Sequence, residues 1–199
     1  MNQIELKALA KINLGLDVLG RRENGYHDVR MVMQSIYLYD EVKIEKTEAP
    51  GITLASNLSF LPTGEGNIAY KAAKLLMEEF HIPAGVRITL NKHIPVAAGL
   101  AGGSSNAAAV LFGMNRMFRL GLKQEELMAR GVRLGADVPY CIMRGTVLAE
   151  GIGEELSVLP AMPKCTVLIA KPPVSVSTKV VYEALDAKEI VEHPDIDGI

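Results

Sequence analysis

The chain is poor in cysteine, with only Cys141 and Cys165 among 199 residues, each in an apolar neighbourhood and in no metal-ligand spacing. A disulfide scaffold is thereby excluded, and two buried thiols in a reducing compartment are expected. Net charge is also small, −2 at pH 7, so no global field draws the chain to nucleic acid or to a membrane surface, and any anionic ligand must be met by local cations. No apolar run approaches the roughly 18 residues that span a bilayer. Met1-Asn2-Gln3-Ile4-Glu5-Leu6 lacks the basic start and apolar stretch of a secretory signal. The expectation is a cytoplasmic protein without membrane, nucleic-acid or obligate protein partners. The four histidines are scattered, so no dedicated metal centre is expected. Two phosphate-binding signatures are missing as well. Gly-Lys-Ser/Thr occurs nowhere, which excludes a Walker loop, and Gly151-Ile152-Gly153-Glu154-Glu155-Leu156 has two glycines where a dinucleotide fingerprint needs three.

What is present is a hydrophobic content of 49% against 22% charged residues, the balance of a soluble globular protein with a sizeable core. Apolar alternation over Ile4–Ala8 and Ile12–Val18 predicts two strands or one long bent pair, with Lys11, Asn13, Gly15 and Asp17 on a polar, solvent-like face. Strand patterning continues over Val29–Leu38, Glu41–Lys46 and Ile52–Ala55. Asn67 is placed to cap a helix carrying Ile68, Ala72, Leu75, Leu76 and Phe80 on one face. Val86, Ile88 and Leu90 form the next strand. Later come a helix over Gln124–Leu134, strands over Thr146–Ala149 and Cys165–Ala170, a break at Pro172-Pro173 and a short helix over Thr178–Leu185. Strands first and helices later indicate an α+β fold.

The stretch with most chemical content is Pro95-Val96-Ala97-Ala98-Gly99-Leu100-Ala101-Gly102-Gly103-Ser104-Ser105-Asn106-Ala107. It is almost free of side chains and feeds a helix predicted to begin where the small residues end. A bare loop at a helix N-terminus gathers backbone N–H groups and the positive end of the helix dipole, as a phosphate requires. A tight turn before a close-packed, Ala-rich helix fits the residues equally well. Other candidates are similarly two-sided. Tyr26-His27 ends a charged, glycine-punctuated loop and reads as an aromatic anchor or a recognition pair. Asp137, before Val138-Pro139, is expected at a helix-to-strand turn, as an Asx-turn or as a reactive carboxylate.

The run Pro-x-x-x-Gly-Leu-x-Gly-Gly-Ser-Ser resembles the ATP-binding loop of the GHMP kinases. Ala10-Lys11-Ile12-Asn13-Leu14-Gly15-Leu16-Asp17-Val18, Arg22-Glu23-Asn24-Gly25-Tyr26-His27, Gln34-Ser35 with Asp40, Gly135-Ala136-Asp137-Val138-Pro139-Tyr140 and Ala149-Glu150-Gly151-Ile152-Gly153-Glu154 are similar to the branch of that family acting on 4-diphosphocytidyl-2-C-methyl-D-erythritol. The resemblance runs from Lys7 to about Tyr182. It implies phosphorylation of that substrate's 2-hydroxyl by ATP with Mg²⁺, in non-mevalonate isoprenoid synthesis. It implies Asp137 and Lys11 as the catalytic pair, and Pro95 to Ser105 with Asn67 and Lys92 around ATP. Asn13, Tyr26, His27, Thr178 and Tyr182 are implied at the cytidyl substrate. The family's second domain is expected to begin here only in part, giving residues 1–162 as the nucleotide-binding domain and 163–199 as an incomplete second one. Two other readings follow: another small-molecule kinase of the same family, or a nucleotide-binding fragment with little activity.

Overall fold

A computed structural model describes residues 1–172, 178–186, 190 and 192–199, excluding the side chains of residues 178, 179 and 183. In chain order the elements are β1 (Gln3–Arg21), β2 (His27–Thr47), β3 (Ile52–Ser56), α1 (Ile68–Glu79), β4 (Gly85–Asn91), α2 (Gly102–Phe118), α3 (Gln124–Val132), α4 (Val138–Met143), β5 (Thr146–Glu150), β6 (Glu155–Val158) and α5 (Thr178–Asp186). The expected α+β class is what the chain adopts. All six strands join one sheet in the order β3-β4-β2-β5-β6, with β1 also on β2.

β2 is the spine. β1 runs antiparallel along nearly its whole length, while β4 takes Glu41–Thr47 and β5 takes Met31–Gln34 on the other edge. The one parallel pair, β3 and β4, is bridged by α1, since parallel neighbours need a crossover. Between sheet and helices lies a core of Met33, Val42, Ile44, Val86, Ile88 and Leu90 from the strands against Ala72, Ala73 and Leu76 of α1 and Val110, Leu111 and Met114 of α2. Such burial contributes about 25 cal/mol per Å² of apolar surface.

The structure amends several expectations. Ile4–Val18 falls within a single strand of 19 residues, Gln3–Arg21, interrupted by irregularities at Leu9/Ala10, Asn13/Gly15 and Val18/Gly20. Lys11, Asn13, Gly15 and Asp17 do not form one solvent face: Lys11 is 5% exposed and Asp17 7%, whereas Asn13, Leu14 and Leu16 are exposed. α2 starts at Gly102 instead of at Ala107, so the glycines and serines form its first turn. Pro139 does not hold Val138 extended; it occupies the first turn of α4, where its missing N–H costs nothing, and Asp137 becomes the residue before that helix. Residues 165–170 form no strand. Cys165 is exposed, and only Cys141 is buried.

Candidate active site

A cleft of about 900 Å³ opens where β1, the loop between β4 and α2, the turn before α4, and α5 converge. Its geometry begins with a bulge. Asn13 pairs with Met33 and Gly15 with Val32, leaving Leu14 without a partner on β2. One extra residue shifts the alternation by one, as a β-bulge must. Lys11, Asn13 and then Leu16 therefore line the cleft, opposite Met31 and Val29. Asp17 is carried to the other face, where its Oδ1 lies 2.8 Å from Nδ1 of His193.

Lys11 Nζ donates to Asn13 Oδ1 at 2.9 Å and stands 4.0 Å from Asp137 Oδ2. The lysine side chain is 7% exposed and that of Asp137 34%. Asp137 makes no side-chain bond to α4, so its carboxylate stays turned to the cleft instead of capping the helix. Below this pair lies Cys141, whose thiol is pushed up to about 12 by burial and by the Asp137 charge. It is thus held protonated and is no nucleophile. Tyr140, pushed up to about 12 by burial, donates to the Gly145 carbonyl at 2.8 Å and shares a hydrogen bond with Ser35 Oγ.

The glycine-rich loop supplies the facing wall. Ala97, Gly99 and Ala101 have φ of 54°, 71° and 53°. Left-handed alanine is strained by about 1–2 kcal/mol per residue, and alternation of this kind turns successive N–H groups toward one concavity. No side chain caps α2, leaving the N–H groups of its first turn facing the cleft with the helix dipole behind them. Pro95 through Ser104 all line it; Ser105 is buried beside Cys141 and does not.

What holds the loop is a buried polar cluster in which Lys92, expected beside ATP, is tied to Asp40 and Asn106. Asp40, with no exposure, accepts from the N–H groups of His93 and Ile94 at 2.7 and 2.8 Å and from Asn106 Nδ2 at 2.9 Å. Its second oxygen also pairs with Lys92 Nζ, which donates to Asn106 Oδ1 at 2.9 Å. Lys92 does line the cleft, yet its ammonium is already committed. A further tie is the Lys11 N–H, which donates to the Leu100 carbonyl at 3.2 Å. Asn67 caps α1 through Oδ1 and donates to the Pro62 carbonyl, placing Leu61, Pro62 and Ile68 at the apolar end of the cleft.

At the opposite end Tyr26 is exposed, while the His27 side chain is only 8% exposed. Tyr182 stacks on the His27 ring with centroids 4.5 Å apart, and burial raises its phenol pKa above the ordinary value. Arg21 and Asp186 join this end unannounced by any motif; a helical pattern of i, i+4 from Tyr182 was the available signal for Asp186. The side chain of Thr178 lies outside the described residues. No group of three or more potential metal ligands occurs among the described residues, nor is any helix long and apolar enough to cross a membrane.

Residues 67–145 match the family described as GHMP kinases N terminal domain. A 4-diphosphocytidyl-2-C-methyl-D-erythritol kinase from Lachnospira eligens is 60% identical over 199 residues, covering 100% of this chain and 69% of the relative. One from Acetivibrio thermocellus is 55% identical over 195 residues, 98% of this chain and 69% of the relative. A crystal structure of a 4-(cytidine 5'-diphospho)-2C-methyl-D-erythritol kinase superposes with a TM-score of 0.74 at 36% identity, covering 91% of this chain and 64% of that one. Homoserine kinase from Cytophaga hutchinsonii, at 19% identity and a TM-score of 0.66 over 96% of this chain and 62% of its own, shares the fold.

Proposed function

The chain belongs to the GHMP kinases, in the branch of the 4-diphosphocytidyl-2-C-methyl-D-erythritol kinases, and from that premise we propose that its cleft transfers the γ-phosphoryl group of ATP to the 2-hydroxyl of that cytidyl substrate. The observation that carries the reading is the meeting of Lys11 and Asp137 between a bare helix N-terminus and an aromatic pair.

Each residue then has a physical task. The first turn of α2 and the loop from Pro95 to Ser104 receive the triphosphate through backbone N–H groups. Leu61, Pro62 and Ile68, with Asn67 and Lys92 beside them, border the adenine. Asp137 accepts the proton of the attacking hydroxyl as the bond to phosphorus forms. Lys11, oriented by Asn13, offsets negative charge on the transferred group and on the carboxylate, which is where most of the acceleration in phosphoryl transfer arises. Asn13, Tyr26, His27 and Tyr182 hold the cytidyl substrate, with stacking faces and a ring nitrogen for the base. Ser104 is a hard oxygen donor on the same cleft, suited to Mg²⁺, which binds mainly through phosphate oxygens and one or two protein oxygens. When bound it would shield the phosphate charge. Residues 1–162 thus carry the donor site, and residues from 163 onward contribute Tyr182 and Asp186 to the acceptor wall.

A phosphoryl-transfer assay offering the cytidyl substrate, homoserine, mevalonate and galactose in parallel tests this. Turnover of the cytidyl substrate alone is expected. Turnover of any of the others without it would overturn the reading.

A further inference from the structure

One face of α5 grips His27 at two points. Tyr182 covers the imidazole face, and four residues on, Asp186 Oδ1 lies 2.6 Å from His27 Nε2. Positions i and i+4 lie one above the other on a helix, so both contacts come from a single turn. The other Asp186 oxygen lies 3.3 Å from the Arg21 guanidinium, fixing the carboxylate between two partners. A carboxylate offers only acceptors, so the contact requires the proton of a neutral imidazole to sit on Nε2. Nδ1 is then a hydrogen-bond acceptor, and among the described residues it has no hydrogen-bond partner. The ring lines the cleft and is nearly closed off from solvent elsewhere.

We propose that Asp186 is a specificity-determining positioning residue, which fixes the Nε2–H tautomer of His27 so that Nδ1 accepts from the 4-amino group of a cytosine nucleotide and disfavours uracil. The inference rests on the kinase reading above, which supplies the cytidine nucleotide. Cytosine and uracil have the same outline and the same 2-oxo group. They differ at position 4, where cytosine offers a donor and uracil an acceptor. A lone pair held at that position pairs with the first and meets the lone pair of the second, the kind of mismatch that discriminates strongly because both groups are left unpaired. Without Asp186 the imidazole proton is able to move to Nδ1, which then donates to the uracil oxygen. The structural task of Asp186 is therefore to deny the ring its second tautomer.

Cytidine diphosphate and uridine diphosphate are titrated calorimetrically into the unaltered chain and into Asp186→Ala, with an excess of a non-hydrolysable ATP analogue filling the donor site. The ¹⁵N shifts of the His27 imidazole are recorded alongside. The unaltered chain is expected to prefer cytidine diphosphate by about tenfold, the scale of one well-placed hydrogen bond. Asp186→Ala is expected to lose most of that ratio while the imidazole shifts move from the Nε2–H form toward a mixture. If the variant weakens both nucleotides equally and the tautomer does not change, Asp186 merely props α5 and the assignment is wrong. Equal affinity of the unaltered chain for the two nucleotides overturns it outright. Lack of phosphoryl transfer by the unaltered chain, with the cytidine preference present and lost in Asp186→Ala, would refute the kinase reading and leave the assignment standing.

Discussion

The glycine-rich loop hangs from a carboxylate with no exposure, whereas the wall across the cleft hangs from a stack and an ion pair that water reaches. Asp40 satisfies two loop N–H groups, a lysine and an asparagine at once, so strain in Ala97 and Ala101 is held by contacts that solvent does not weaken. α5 meets the body of the protein through Tyr182, Leu185 and Asp186, the last with a side chain 25% exposed. Charge pairs of that exposure contribute little, about 0–1 kcal/mol. On the proposed reading rigidity falls where it is needed: a phosphate cradle would work through fixed dipoles, and a displaced dipole is a lost one. A wall that recognises a flat base tolerates a looser mounting.

Substitutions on the two walls separate their roles. The largest effect belongs to Asp137, which neither half supports structurally: Asp137→Asn should lower kcat by about 10³-fold with both KM values nearly unchanged in steady-state kinetics. Retention of near wild-type turnover would remove it as the base. Asp40→Asn leaves Lys92 buried without its counter-charge and should cost about 3–5 kcal/mol in urea unfolding. At temperatures where the variant stays folded, its KM for ATP should rise and that for the cytidyl substrate should not. Tyr182→Leu should do the reverse, raising the KM of the cytidyl substrate about tenfold, the scale of an aromatic contact, with ATP binding and melting temperature almost unmoved. An equal rise in both KM values would dissolve the distinction between the walls.

Two smaller tests probe the strain and the surface. Ala101→Gly relieves a left-handed alanine but adds freedom to the unfolded chain, and a net gain of about 0.5 kcal/mol in denaturant melts is expected. Far from the cleft, Arg130 bonds Glu79 and holds its carboxyl below the usual value. A depressed folded pKa adds stability above the unfolded pKa that is lost as pH falls through the folded one. Glu79→Gln should therefore cost less than about 0.5 kcal/mol at pH 7 and nothing in strong acid.

The elements with strong periodicity or a cap were legible in the chain itself. Asn67 and the apolar face behind it located α1, and alternation over Val86–Leu90 located β4. The loop read from its own residues as a phosphate site or a tight turn, whereas Lys11 and Asp137 as a catalytic pair came from a family resemblance, because strand polarity alone assigned Lys11 to solvent. The burial of those residues is physical: a strand bordering a cleft buries polar residues against the walls of that cleft, and a bulge at Leu14 is invisible to a period of two. The pairing of Asp40 with residues 92–94 and Asn106, and that of Asp186 with His27, escaped because these partners lie 52–54, 66 and 159 residues apart in sequence. Left-handed alanines at 97 and 101 run against propensity and are imposed by tertiary contacts alone.

Gly102 carries a consequence for protein engineering. A Cβ there would come within 3.1 Å of Lys92 Nζ and of Ile94 Cγ2, whereas one on Gly103 would meet only Ile68, at 3.5 Å. The two neighbours therefore answer to different masters: the first is kept small by the protein beneath it, and on the proposed reading the second is kept small by the nucleotide approaching from above. Alanine at 102 would register in the melting curve of the empty protein. Alanine at 103 would go unnoticed until nucleotide arrived, so a pair of single-methyl additions separates what the scaffold demands of this loop from what the ligand demands.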